Sequence, residues 1–358
     1  MATSGQLPPL RRLILPAIFV AALFLVVFLR QPQRADRSNE IVVTGPAFGT
    51  TFTVKVVTEE SKEVRAKIAS LVHEAVDRVD LAMSTYRSDS EVEQFNRHGT
   101  EPFPVSAALL DVVTEAQRVS RLTGGAFDIT VGPLVDVWGF GPAGTMEAPS
   151  DQQLLELLAI TGYEQILVES ATGTLSKTHE SCRIDLSAIA KGFAVDRVAT
   201  AFAGSGFPNF MVEIGGEVNA RGRNGLGRVW KIGIERPDAE GRAVHVAVPL
   251  SNLSLATSGD YRNFVVRDGV RLSHTIDPRI GRPISHSLAS VSVIHASCMT
   301  ADAIATALEV LGPDDGFELA ERLELPALFL IREAEDRFRE QPTRVWRALV
   351  ESGPDARN

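Results

Sequence analysis

Asp302 and Thr306 stand four residues apart in the run Thr300-Ala-Asp-Ala-Ile-Ala-Thr306, whose composition reads as helix. Residues at that spacing share one helical face. A carboxylate and a hydroxyl would then project together as two hard oxygen ligands, which suits Mg²⁺ or Ca²⁺ and not zinc. Thr300 is the expected N-cap, which puts Asp302 in the first turn. The plain alternative is an acidic residue favoured there by the helix dipole alone. A second group, Asp185-Leu-Ser-Ala-Ile-Ala-Lys-Gly192, reads as a strand end turning into a helix, with Lys191 one turn in. Unpaired N–H groups at a helix start favour phosphate, and a lysine adds a point charge. It is not a Walker loop, because the required glycines are missing. Read alone, it is equally a capped helix with a solvated lysine.

Three glycine turns pair permissive backbone with polar side chains: Thr123-Gly-Gly-Ala-Phe-Asp-Ile-Thr130, Glu213-Ile-Gly-Gly-Glu217 and Thr257-Ser-Gly-Asp260. They permit close approach to a ligand, as ordinary strand turns also do. His274, in Leu272-Ser-His-Thr-Ile-Asp-Pro278, is the histidine best suited to act as a base near neutral pH. Tyr86, in Met83-Ser-Thr-Tyr86, is one of only three tyrosines and offers a ring to a flat heterocycle, though a core aromatic reads the same.

These groups need a frame. Alternation over 48–57 predicts a half-buried strand. Residues 61–83 show helical periodicity, with Ile68, Leu71, Val72, Ala75, Val76 and Val79 on one face, and 105–122 reads as another helix. A Gly/Pro-rich connection over 132–149 leads to a short helix at 151–160. Strands are expected near Ile184 and over 210–214, 230–235, 244–249, 253–257, 264–266, 288–294 and 327–331. Helices at 188–202 and 300–311 interrupt them. Strand runs and helix runs do not strictly alternate, which predicts an α+β fold.

The chain has 358 residues, 44% hydrophobic, and a formal net charge of −9 with no basic stripe. Nucleic acid is therefore excluded as a partner. Two cysteines, Cys182 and Cys298, cannot build a disulfide framework or a thiolate zinc site. Residues 13–29 are almost unbroken apolar sequence flanked by arginines on both sides. With no cleavage site or lipidation cysteine evident, an uncleaved membrane anchor is expected, its orientation not set by the balanced arginines.

Taken together, the segments resemble the ApbE family of FAD:protein FMN transferases. The matching pieces run in family order: Phe48-Gly-Thr, Met83-Ser-Thr-Tyr with Asp89-Ser-Glu and Phe95-Asn96, Gly125-Ala-Phe-Asp-Ile-Thr, Pro133-Leu with Trp138-Gly139, Asp185 through Gly192 with Asp196, Glu213-Ile-Gly-Gly-Glu217, Thr257-Ser-Gly-Asp-Tyr-Arg262, Ser273-His-Thr-Ile-Asp-Pro278 and Ala301-Asp-Ala-Ile-Ala-Thr306. The resemblance covers about 46–312. It implies a core like the tetrahydrobiopterin-binding T-fold, preceded by one membrane anchor helix. It also implies Mg²⁺-dependent transfer of FMN from FAD to a Thr or Ser hydroxyl of an acceptor protein, with AMP released. Mg²⁺ (Ca²⁺ as the alternative) would sit on Asp302, Thr306 and the Ala188 carbonyl. Phe48, Tyr86, Ala126, Phe127, Asp128, Asp185 and Lys191 would line the FAD site, and Thr257, Ser258, His274, Thr275 and Ile276 would close it. Phe48 stands where the family commonly has Met, an exchange of one apolar contact for another. His274 is the first choice for the base, with Asp302 or Asp260 behind it. The implied acceptors are redox-pump subunits or flavin-carrying reductases. The implied layout is a cytoplasmic N-terminus at 1–12, an inner-membrane anchor at 13–30, a linker at 31–45, a periplasmic transferase domain at 46–345 and a tail at 346–358. Rival readings are an FAD pyrophosphatase yielding FMN and AMP, and a non-catalytic extracytoplasmic flavin-binding protein.

Overall fold

Strands with a two-residue side-chain period bury one face or both, depending on what covers them. In the computed structural model, which describes residues 39–141, 148–237, 243–259, 264–267, 270–334 and 337–352, both faces of one sheet are used. Its strands, numbered within that sheet, are β1 (Glu40–Ala47), β2 (Thr50–Val57), β3 (Phe210–Ile214), β4 (Glu217–Arg221), β5 (Leu253–Gly259), β6 (Leu288–His295), β7 (Ala327–Ala334) and β8 (Arg337–Pro342). Each pairs antiparallel with the next, so the spatial order is the chain order. The helices are α1 (Lys62–Met83), α2 (Glu91–Arg97), α3 (Ala107–Leu122), α4 (Gly132–Val137), α5 (Asp151–Leu158), α6 (Ala190–Gly204), α7 (Cys298–Arg322) and α8 (Arg344–Ser352).

Phe52, Val54, Val56, Phe210, Val212, Ile214, Val291, Val293 and Phe329 turn to one face and form the main core with α1, α3, α6 and α7. Their neighbours Met211, Val218, Ala220, Leu255, Ile294, Leu328 and Leu330 turn to the other face. There they meet the hairpin of Trp230–Glu235 with Val244–Leu250, and Trp346 of α8. The result is a mixed α/β fold on an antiparallel sheet.

Several expected boundaries move. The strand expected over 48–57 forms from Thr50 and is the second arm of a hairpin with β1, because Phe48 (φ 50°) and Gly49 (φ 73°) form the turn between them. Residues 40–45, expected in the linker, are already strand β1, and the boundary at 345/346 falls inside α8. No strand forms at Ile184. The anchor and N-terminus expected over 1–30 lie outside the described residues, among which no helix is long and apolar enough to cross a membrane.

The α7 helix starts earlier than expected. Its N-cap is Ser297, whose hydroxyl accepts the Thr300 N–H at 3.2 Å, and Thr300 is inside the helix, donating its hydroxyl to Glu115 at 2.6 Å. Asp196 of α6 supplies the stronger cap: its carboxylate accepts from Cys298 N (2.9 Å), Met299 N (3.0 Å) and Ser297 Oγ (2.8 Å). A carboxylate on orphan N–H groups at a helix start satisfies both hydrogen bonding and the dipole. Burial raises its pKa and those three bonds oppose the rise. Asp196→Ala should therefore leave N–H groups unpaired and lower the unfolding free energy by about 1–3 kcal/mol, read from urea unfolding. An unchanged midpoint would show the cap to be dispensable.

Candidate active site

The site grows from places where the chain reverses at one end of the sheet. The β3–β4 hairpin closes on Gly215 and Gly216 alone, at φ 63° and 110°, a two-residue turn that glycine permits. A Cβ on Gly215 would come within 2.8 Å of Thr50 Cγ2, so the turn also needs a bare Cα where it meets β2. A cleft of about 1540 Å³ opens at this end, beyond the ~300–1,000 Å³ of ordinary small-molecule pockets.

Into it project Asp302 and Thr306, one turn apart on α7, beside Ala188 and Lys191 at the start of α6. Asp302 is the fifth residue of α7, in its second turn rather than its first. Its Oδ2 accepts the N–H of Gly192 at 3.0 Å. The N-cap of α6 is Ile189, so this N–H belongs to the first turn, where no carbonyl of the helix serves it. The carbonyl of Ala188 is left on the cleft wall with no N–H donated to it among the described residues. Gly192 makes this crossing possible: a Cβ there would lie 2.4 Å from Cys298 O and 2.8 Å from Asp302 Cβ. The donor set is thus a buried carboxylate, a hydroxyl and an unused carbonyl, all hard oxygens that fit Mg²⁺ or Ca²⁺. No group of three or more His, Cys, Asp or Glu side chains that could hold a metal occurs among the described residues.

Charge in the same wall is unbalanced. Lys191 Nζ lies 2.5 Å from Glu217 Oε1. Burial opposes the lysine's charge, but Glu217 and Asp302 outweigh it and hold the ammonium above its ordinary pKa. Glu217, 2% exposed, is pushed up to about 8 by burial, against the pull of Lys191. Asp302 is raised for the same reason, with Lys191 opposing. Two carboxylates share one ammonium, and Glu217 Oε2 has no hydrogen-bond partner. A divalent cation would reverse that excess. Sequence names Glu217 only as part of the Glu213-Ile-Gly-Gly-Glu217 turn and gives it no role of its own: in Glu217-Val-Asn-Ala-Arg221 it occupies the polar set of the alternation, which normally marks a solvent face.

The other expected residues divide. Phe48, Asp185, Thr257, Ser258, His274, Thr275 and Ile276 all line the cleft. Asp185 caps its own turn, accepting from Ser187 N at 2.8 Å. Thr257 shares a hydrogen bond with Ser292 at 2.8 Å. The His274 ring sits edge-on to Phe140, centroids 6.5 Å apart. Tyr86 lines the rim and is 78% exposed, so it is not a core aromatic. Ala126, Phe127 and Asp128 do not reach the cleft. The first two are buried, and the Asp128 carboxylate holds Thr130 N at 2.8 Å and Tyr163 N at 2.6 Å, a brace between two segments. Asp260 lies outside the described residues.

Comparison with known proteins follows the same boundaries. The model described as the ApbE family matches residues 48–329. The FAD:protein FMN transferase of Vibrio cholerae is 43% identical over 339 residues, 93% of this chain and 98% of that protein. The FAD:protein FMN transferase of Escherichia coli K12 is 38% identical over 329 residues, 90% and 93% of the two chains. Among solved structures, the flavin transferase ApbE from Vibrio cholerae superposes with TM-score 0.78 at 42% identity, over 87% of this chain and 99% of that one. The apo form of the Pseudomonas stutzeri flavinyl transferase ApbE gives 0.79 at 38% identity, over 88% and 98%.

Two outcomes follow from this geometry. Gly192→Ala should force α6 away from α7, costing on the order of 1–3 kcal/mol and weakening binding of Mg²⁺ by calorimetry; a variant that binds as well as the parent would deny the close crossing its role. The second concerns pH. The Glu217 pKa is 4.5 unfolded and about 8 folded, so the folded state binds the extra proton in that window. Stability of the metal-free protein must then fall as pH rises through it. Glu217→Gln should flatten this fall between pH 5 and 8 in urea titrations; an unaltered slope would contradict the assignment.

Proposed function

The chain belongs to the ApbE family, and on that premise we propose that it transfers FMN from FAD to a threonine or serine hydroxyl of an acceptor protein. The acceptor oxygen attacks the FMN-side phosphorus, the bond from that phosphorus to the bridging oxygen breaks, and AMP leaves with the electron pair. The acceptor's proton passes to a base. Phosphoryl-group transfer of this kind needs positioning and charge neutralisation more than covalent help.

The observation that carries the reading is the convergence of Asp302, Thr306, Ala188 and Lys191 on one wall of a cleft large enough for a dinucleotide. Asp302, Thr306 and the Ala188 carbonyl are the residues that would hold Mg²⁺, which supplies Lewis-acid polarisation of the pyrophosphate when bound. Lys191, held above its ordinary pKa by the neighbouring acids, offsets phosphate charge without moving a proton. Phe48 and Tyr86 present apolar and aromatic surface to the flavin at the rim. His274, on the same cleft, takes the acceptor's proton. Asp185, Thr257, Ser258, Thr275 and Ile276 enclose the dinucleotide, while Ala126, Phe127 and Asp128 act from behind by fixing the wall. The sheet with its helical layer is read as T-fold-like. The apolar run at 13–29 anchors the domain at the periplasmic side of the inner membrane, where redox-pump subunits or flavin-carrying reductases are its acceptors.

Asp302→Ala should slow FMN transfer by about 10²-fold or more, measured as an FMN-sized mass increase on the Thr or Ser of an acceptor incubated with FAD and Mg²⁺; transfer at the parent rate removes the metal role. Free FMN formed equally fast without acceptor would make the protein an FAD pyrophosphatase instead. His274→Ala should abolish the rise of rate with pH near neutrality, and an unchanged profile would leave His274 structural.

A further inference from the structure

The cleft, about 1540 Å³, has room beyond one nucleotide ligand, and part of its wall is bare strand edge. All five residues over 231–235 border it. Side chains alternate along a strand, and Ile232 and Ile234 are buried in the second core. Five consecutive residues along one wall therefore mark an edge, not a face. Among the described residues this strand pairs only with Val244–Leu250. Arg236 donates its N–H to Ala243 O at 2.8 Å, so alternation turns the N–H and C=O of Lys231 and Gly233 to the other, unpaired side.

Two further features suit a polypeptide there. Gly233 sits mid-strand on the out-turned register; its missing Cβ makes room for Val244 of the paired strand, which would lie 3.0 Å away, and its own N–H and C=O stay on the unpaired edge. The floor beside this edge is the part of the sheet face that the second layer leaves partly open: Thr53 and Lys55 of β2 and Glu213 of β3. Glu213 is engaged, accepting the Gly216 N–H at 2.9 Å. Lys55 and Lys231 make no ion pair among the described residues, which leaves two ammonium groups to meet carboxylates from outside.

We propose, resting on the transferase reading, that the acceptor protein docks here as an extended, carboxylate-bearing segment. It adds a third strand to the free edge of Trp230–Glu235, with main-chain hydrogen bonds to Lys231 and Gly233 carrying its hydroxyl residue toward Asp302 and Thr306. Strand addition draws affinity from backbone groups, so it tolerates varied acceptor sequences while the two lysines select for acid.

The test uses the whole enzyme with FAD, Mg²⁺ and an acceptor protein whose reactive Thr or Ser is replaced by Val, so that the complex stalls. Amide exchange read by mass spectrometry should slow at least tenfold in the peptide spanning 231–235 when this acceptor is added. Unchanged exchange there overturns the proposal. Gly233→Pro, which removes an out-turned N–H, should raise the acceptor KM about tenfold while the FAD dissociation constant moves less than twofold; an unmoved acceptor KM is equally fatal. Should that variant not fold, the exchange measurement on the parent enzyme decides alone. Failure of the parent to transfer FMN to any acceptor would sink the transferase reading, whereas transfer without protection at this edge sinks only the docking mode.

Discussion

The approach of α6 to α7 is the constraint from which the site follows. Gly192 lets the first turn of one helix rest against the first residues of the other, and its N–H is diverted to Asp302. That one hydrogen bond has three effects. It fixes a carboxylate oxygen, it satisfies a first-turn N–H of α6 that no helical carbonyl serves, and it holds Asp302 beside Ala188 and Lys191 on the cleft wall. Asp196 acts on the same joint from one turn further along α6, clamping the N–H groups at the start of α7. Both contacts are polar, the first buried and the second partly so, which makes them costly to leave half-made and hence specific in geometry.

Around this joint the protein keeps charge that water would ordinarily dissolve away. Burying Glu217 and Asp302 near one ammonium is unfavourable unless something of opposite sign completes the group. The unpartnered oxygen of Glu217 and the raised pKa values of both carboxylates express the same fact: the cluster buries more acid than one ammonium compensates. Lys191 in this setting is a fixed charge rather than a proton carrier.

The sheet explains why such a cluster can exist. Helices cover one face fully, while the hairpin and α8 cover the other only in part. A fully covered sheet would have no cleft, and an uncovered one no low-dielectric wall. The catalytic end and the open floor are two consequences of this unequal coverage.

Periodicity and turn chemistry alone fixed much of this molecule. The helices at 61–83 and 105–122 and the strands at 210–214 and 230–235 were legible because a buried face must repeat at the period of its backbone. The Asp302–Thr306 pair was legible because four-residue spacing is a local property of a helix. Motif order supplied the family likeness and with it most of the cleft-lining residues. Tertiary structure decided the rest. The strand expected over 48–57 starts only at Thr50 because Phe48 and Gly49 take left-handed conformations that a hydrophobicity pattern does not encode. The N-cap of α7 moved to Ser297 because Thr300 found Glu115, a partner 185 residues away in sequence. Glu217 had no role readable from its turn motif, because alternation reports which residues share a face and says nothing of what will cover it. Likewise Asp128 carries the same polar signal as a ligand-binding residue, and only its engagement by Thr130 and Tyr163 makes it a brace. Local rules set the elements; partners distant in sequence set which polar groups are used up within the fold and which are left over for chemistry.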